Sequence, residues 1–87
     1  MYMNTEATTN NERLRALVDG TGLPQVVCLT LFNRGLGAAT YSESAWKSFF
    51  VNPASTRFRP LSDELLAHAE KAFGKLQISR LQHVLVH

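Results

Sequence analysis

The side chains best suited to recognition chemistry lie between Arg34 and Pro60, where small hydroxyl groups alternate with basic groups. A helix predicted over residues 41–51 would carry four of them on its outer face: Ser42, Ser44, Lys47 and Ser48. Hydroxyl and ammonium groups of this size can enter the major groove of DNA and hydrogen-bond to base edges. These four are therefore predicted base-contact residues, although Ser42 could equally serve only to cap the helix.

A second group of polar side chains is suited to phosphate contacts. It comprises Gln25, Arg34, Arg57 and Arg59. Guanidinium and amide groups donate hydrogen bonds to phosphate oxygens, and such contacts position a protein on a duplex without reading its sequence. We predict that these four residues contact the DNA backbone.

The charge distribution favours the same region. The 87-residue chain has a formal net charge of only +2, which by itself does not indicate a nucleic-acid partner. Residues 1–33 carry a net −1, residues 34–60 carry +3, and residues 61–87 are neutral. A positive segment around one helix is typical of docking on phosphates, although the excess could also serve only solubility.

The first half of the chain predicts two helices that would support this region. The pattern from Thr9 to Glu12 is a capping box, and a helix follows over about residues 10–19, ended by Gly20 and Gly22. Pro24 is well suited to begin the next helix, which ends near Asn33. That second helix is apolar on most faces, which predicts a central place in the core.

The second half predicts a turn and two further helices. Two glycines over residues 34–40 indicate a turn before the helix at 41–51, which should end ahead of Pro53. Ser62 caps the next helix, and Gly74 ends it. Residues 76–87 favour a helix, but Val84 and Val86 would also fit a strand. The predicted fold is all-α, with four to five short helices.

This reading divides the chain into three parts. Residues 1–8 form a flexible tail, residues 9–75 the folded domain, and residues 76–87 a C-terminal segment that could mediate dimerisation. A domain of this size can hardly bury the apolar side chains of its last segment alone. We expect a homodimer whose interface includes Leu81, Val84 and Leu85.

Catalytic and cofactor sites are not expected. Ser62, Asp63 and His68 share one helix, where their spacing does not build a nucleophile and base. Cys28 lies among apolar residues, which favours an inert, buried thiol. One cysteine and three scattered histidines make no closed zinc set, and no apolar run is long enough to cross a bilayer. We therefore expect a cytoplasmic protein with no enzymatic activity, no cofactor, no metal and no membrane partner.

The order of these elements resembles the Cro/repressor-like helix-turn-helix family, from about Arg13 to Phe73. The stretch Thr21 to Gln25 looks like that family's entry into its second helix, and Tyr41 to Lys47 looks like its recognition helix. The segments 31–33, 41–47 and 57–60 are more narrowly similar to small plasmid repressors of the KorC type. The resemblance implies a bacterial, nucleoid-associated homodimer that binds a palindromic operator on double-stranded DNA and represses transcription.

Two features depart from that family's pattern. Pro24 stands where the family has a Ser or Thr N-cap, and the turn at residues 34–40 is longer by about seven residues than the standard tight turn. The longer turn could add a backbone contact through Arg34, or it could present the third helix differently. A small protein–protein interaction module without DNA binding, such as a phage inhibitor or an antitoxin-like binder, is the alternative function.

Overall fold

Four of the helices that the sequence predicts are present in a computed structural model that describes residues 9–78, and the helix favoured for residues 76–87 lies almost wholly outside the described residues. The described part is all-α, and its four α-helices confirm the predicted fold class. They are α1 (Asn10–Thr21), α2 (Gln25–Asn33), α3 (Glu43–Lys47) and α4 (Asp63–Phe73), with short 3₁₀ helices at Gly37–Ala39 and Gly74–Leu76. The predictions for residues 1–8, and for Leu81, Val84 and Leu85 in the C-terminal segment, lie outside the described residues.

Helix α1 begins at the predicted capping box and runs two residues further than expected. The Oγ1 atom of Thr9 accepts a hydrogen bond from the backbone N–H of Glu12 at 3.1 Å, and the Glu12 carboxylate accepts one from the N–H of Thr9 at 2.8 Å. Gly20 lies inside the helix and does not end it. Gly22 ends it, with a φ of 69° that residues other than glycine rarely adopt.

One aromatic side chain, Phe32, lies at the centre of the core. It is fully buried, and its ring contacts side chains from the long turn, α3 and α4: Tyr41, Trp46, His68 and Phe73. Leu14 and Val18 of α1 and Leu66 and Ala69 of α4 also belong to the buried cluster. Helices α1, α2 and α4 therefore enclose one core, and α3 is fastened to it through aromatic packing.

Helix α2 is less central than its composition predicts. Cys28, Leu29 and Phe32 are buried, but Val26 and Val27 in its first turn are exposed. The helix packs against α3 and α4. It therefore occupies the predicted central place through its second half, while its first turn lies at the surface.

Helix α3 is much shorter than the predicted span of 41–51. The carbonyls of Phe49 and Phe50 accept from side chains of α1: Asn11 donates to the first at 3.0 Å, and Arg15 donates to the second at 2.6 Å. Beyond Lys47 the chain continues in tight turns, with N–H groups bonding three residues back.

Helix α4 agrees with its predicted bounds. The Ser62 hydroxyl accepts from the N–H of Leu65 at 3.1 Å and so caps the first turn. Asp63 and Glu64 lie in that turn, where carboxylates interact favourably with the helix dipole. Across residues 9–78, no helix has the length and apolar character required to traverse a bilayer.

Candidate nucleic-acid interface

A shallow depression of about 410 Å³ lies between α3 and the loop that precedes α4. Six residues line it, and none of them is acidic: Ser42, Ser44, Ala45, Ser48, Arg57 and Arg59. The two segments are joined by a backbone hydrogen bond from the N–H of Arg59 to the carbonyl of Ser48, at 3.1 Å. Three predicted base-contact serines and two predicted phosphate-contact arginines therefore share one surface.

The three serines of this depression differ in what their hydroxyl groups already do. Ser42 is the N-cap of α3, and its Oγ accepts from the N–H of Ala45 at 3.1 Å. Ser48 is half-buried, and its hydroxyl donates to the carbonyl of Ala45. Ser44 is exposed, and the structure gives its side chain no partner among residues 9–78. Ser44 is thus the serine whose hydroxyl can most readily take a new partner.

Lys47 lies on the same helix but outside the depression. Its Nζ is 3.7 Å from a carboxylate oxygen of Glu43, one turn earlier, and about two thirds of each side chain is exposed. An exposed ion pair of this kind contributes at most about 1 kcal/mol, because water screens it. The ammonium group can therefore exchange this carboxylate for another acceptor at little cost.

Asn11 of α1 holds the loop that carries the two arginines. Its side-chain N–H₂ donates to the carbonyl of Arg59 at 2.9 Å, and its Oδ1 accepts from the N–H of Leu61 at 2.9 Å. The same N–H₂ group also donates to the carbonyl of Phe49, at 3.0 Å. One side chain thus joins the end of α3 to the arginine loop, and sequence reasoning did not single it out.

Arg15 reinforces this arrangement from the next turn of α1. Its guanidinium donates to the carbonyl of Phe50 at 2.6 Å and lies over the Phe50 ring, 5.5 Å from the ring centre. A cation above an aromatic face is attracted by the ring quadrupole, whose face is electron-rich. Arg15 therefore helps to hold the turn after α3.

Gln25 connects α2 to α3. Its Oε1 accepts from the indole N–H of the buried Trp46 at 2.7 Å. Gln25 is a predicted phosphate-contact residue, and this bond occupies its amide oxygen. Its side chain nevertheless remains exposed at the first turn of α2. It therefore lies next to α3, with its side-chain N–H₂ available as a donor.

The long turn between α2 and α3 is ordered by one asparagine. Asn33 donates from its side-chain N–H₂ to the carbonyl of Tyr41 at 3.0 Å and accepts from the N–H of Tyr41 at 2.9 Å. This reciprocal pair closes the loop across eight residues. Arg34 is exposed at the start of the turn and is not among the residues that line the depression with Arg57 and Arg59.

Comparisons with known proteins add no family to this description. The chain matches no family model, no curated protein and no solved structure. Its function must therefore be inferred from the side chains that α3 and the arginine loop bring together.

Proposed function

We propose that this chain is a sequence-specific DNA-binding transcriptional regulator of the helix-turn-helix type, in which α3 enters the major groove. The observation that carries the proposal is the depression beside α3, where serine hydroxyls and two arginines converge without an acidic side chain. Arginines suit the phosphate backbone, and small hydroxyls suit base edges. A bacterial repressor of the plasmid type, acting at the nucleoid, is the role that best suits such a domain.

The proposed roles differ among the site residues. Ser44 and Lys47 read base edges, because both are exposed on α3 and Lys47 is held only by its exposed ion pair with Glu43. Arg57 and Arg59 bind phosphates on the adjoining strand. For Lys47 to reach a base, it must leave Glu43, and the carboxylate then favours a cytosine amino group as its own partner.

The length of α3 supports a dimeric protein. Five residues of helix span about 7.5 Å, which is enough to contact only a few base pairs. Specific binding then needs a second copy on a second half-site, and in symmetric dimers such half-sites lie about one helical turn of DNA apart. We therefore propose a homodimer on a palindromic operator.

The outer surface of α3 favours this function over the alternative of a protein-binding module. Protein interfaces are anchored by aromatic side chains that enter pockets of the partner. Here Trp46 and Phe49 are each about 1% exposed and so cannot serve as anchors. The groups that α3 offers to a partner are the hydroxyl of Ser44, the ammonium of Lys47 and the carboxylate of Glu43, all of which suit a polar groove.

Substitution of Arg59 tests the proposed phosphate contact. Arg59→Ala should weaken binding to every DNA sequence several-fold and reduce the slope of log affinity against log salt by about 1, because one phosphate contact is lost. The measurement is fluorescence anisotropy at several salt concentrations, with the DNA upstream of the chain's own gene and a scrambled duplex. Arg13→Ala, at an exposed arginine of α1, is the matched control and should change neither quantity.

Substitution of Lys47 tests the proposed base contact. Lys47→Ala should reduce the ratio of specific to scrambled binding by about 5-fold to 150-fold, which corresponds to the 1–3 kcal/mol of one good base contact. Lys75→Ala, an exposed lysine beyond α4, provides the control. If Lys47→Ala and Arg59→Ala reduced both kinds of binding equally, the division of roles would be wrong. If the native chain bound neither duplex, the proposed function would be rejected.

A further inference from the structure

Four exposed apolar side chains form a surface around the start of α2. Val26 is 61% exposed, Leu23 and Val27 are each 38% exposed, and Ile78 is 41% exposed. We call these four residues the α2 apolar surface. Single exposed apolar residues are common on monomers, but a contiguous group of them typically marks an interaction site.

Ile78 belongs to this surface although it is distant in sequence. Its Cδ1 lies so close to Gly22 that any side chain at residue 22 would collide with it. The preceding residue, Gln77, donates from its side-chain N–H₂ to the carbonyls of Leu17 and Phe73, at 3.0 Å and 2.9 Å. These bonds hold the end of the described chain against α1, at the edge of the α2 apolar surface.

The chain therefore leaves the described domain at this surface, with residues 79–87 still to follow. Four of those nine residues are aliphatic: Leu81, Val84, Leu85 and Val86. An apolar segment thus begins where an apolar surface is uncovered. Burying both would remove apolar area from water, which is the main favourable contribution to association.

The chain segment that carries Leu23, Val26 and Val27 is free of charge. No charged residue occurs between Asp19 and Arg34, so all of α2 and the turn before it are neutral. The cores of protein interfaces are depleted in charged residues, because unpaired charges are costly to desolvate. This uncharged segment therefore contributes no like-charge repulsion when a second copy of the chain approaches it.

The area available indicates what a partner must cover. A stable interface buries about 800 Å² on each partner, and four partly exposed side chains supply only part of that. The α2 apolar surface is therefore too small to form a dimer by itself. The aliphatic residues of segment 79–87 would provide the remaining area, if the segment of one copy packed on the surface of the other.

We propose that the α2 apolar surface is the docking site for residues 79–87 of a second copy of this chain. The exchange is reciprocal around a twofold axis, so each copy buries its own segment and its own surface. The inference rests on the proposed function, which requires a dimer, and it specifies the contact that forms this dimer. Because α2 is bonded to α3 through Gln25, this contact also sets the separation of the two α3 helices.

Sedimentation velocity over a range of protein concentrations, without DNA, tests the inference. The native chain should sediment as a dimer. Val26→Asp introduces a charge at the most exposed member of the surface and should raise the dimer dissociation constant at least tenfold. Deletion of residues 79–87 should do the same. Ala67→Asp, at an exposed position of α4, introduces the same charge elsewhere and should leave the dimer unchanged.

Circular dichroism on each variant keeps the test decisive. Val26→Asp should retain the native helical signal, because Val26 is not part of the buried core. A native chain that is monomeric at all concentrations would overturn the inference, as would a Val26→Asp variant that stays dimeric. If the native chain were monomeric and Val26→Asp lowered its Tm, residues 79–87 would instead cover the α2 apolar surface of their own domain. A dimer that binds no DNA would support this interface and reject the proposed function.

Discussion

Trp46→Ala is expected to lower the free energy of unfolding by about 3–5 kcal/mol, the usual cost of removing a large buried aromatic side chain. Trp46 is about 1% exposed, and its ring centre lies 5.0 Å from that of Phe32 and 5.1 Å from that of Phe50. It is the residue that fastens the five-residue α3 to the core. A helix this short is not stable in isolation. We therefore expect α3 to unfold when the packing of Trp46 is removed.

Chemical denaturation followed by circular dichroism measures this effect, with Trp46→Phe as the matched variant. Phenylalanine keeps an aromatic ring in the cavity but loses the indole N–H that donates to Gln25. Trp46→Phe should therefore cost distinctly less than Trp46→Ala. Equal costs for the two variants would mean that the hydrogen bond, and not the packing, holds α3 in place.

Asn11→Ala is expected to lower the free energy of unfolding by about 2–3 kcal/mol, although Asn11 is a polar residue of the first turn of α1. It makes three hydrogen bonds, to the carbonyls of Phe49 and Arg59 and from the N–H of Leu61. Each contributes about 1 kcal/mol, and a partner left without a bond in a part-buried place adds a desolvation cost. The substitution should also weaken DNA binding, because Asn11 positions the loop of Arg59.

Asn52→Ala is the matched control for this prediction. Asn52 also accepts a hydrogen bond through its side chain, from the N–H of Ala54 at 2.8 Å, but that bond is local and exposed. Its loss should cost well under 1 kcal/mol in denaturant unfolding and leave DNA affinity unchanged. If Asn11→Ala were as mild as Asn52→Ala, the assigned role of Asn11 as the link between α1, α3 and the loop would be wrong.

The outcome for α3 illustrates where sequence patterns stop being sufficient. Apolar spacing from Tyr41 to Phe50 predicts a continuous helix, and the Ser42 cap and the buried positions of Trp46 and Phe49 agree with it. The helix nevertheless ends at Lys47. Its next carbonyls accept from Asn11 and Arg15, which lie 38 and 35 residues away in the chain. The residues around α3 do not predict that the side chains of Asn11 and Arg15 will donate to these carbonyls.

The candidate site divides in the same way. The sequence groups Ser42, Ser44, Lys47 and Ser48 on the outer face of one helix. In the structure the three serines line the depression, but only Ser44 lies within α3, since Ser42 and Ser48 are its caps. The sequence does not predict that Lys47 and Arg34 lie outside the depression. Those facts depend on how the loops close, and loop closure depends on the Asn33 and Asn11 amides.

The sequence by itself therefore determined the helical class, the caps at Thr9, Ser42 and Ser62, and the concentration of positive charge in residues 34–60. These features depend on interactions within a few residues, which the order of side chains specifies directly. Only the tertiary structure decided the length of α3, the meeting of its serines with Arg57 and Arg59, and the exposure of the first turn of α2. Each of these depends on contacts between segments far apart in the chain, and such contacts exist only once the core has formed.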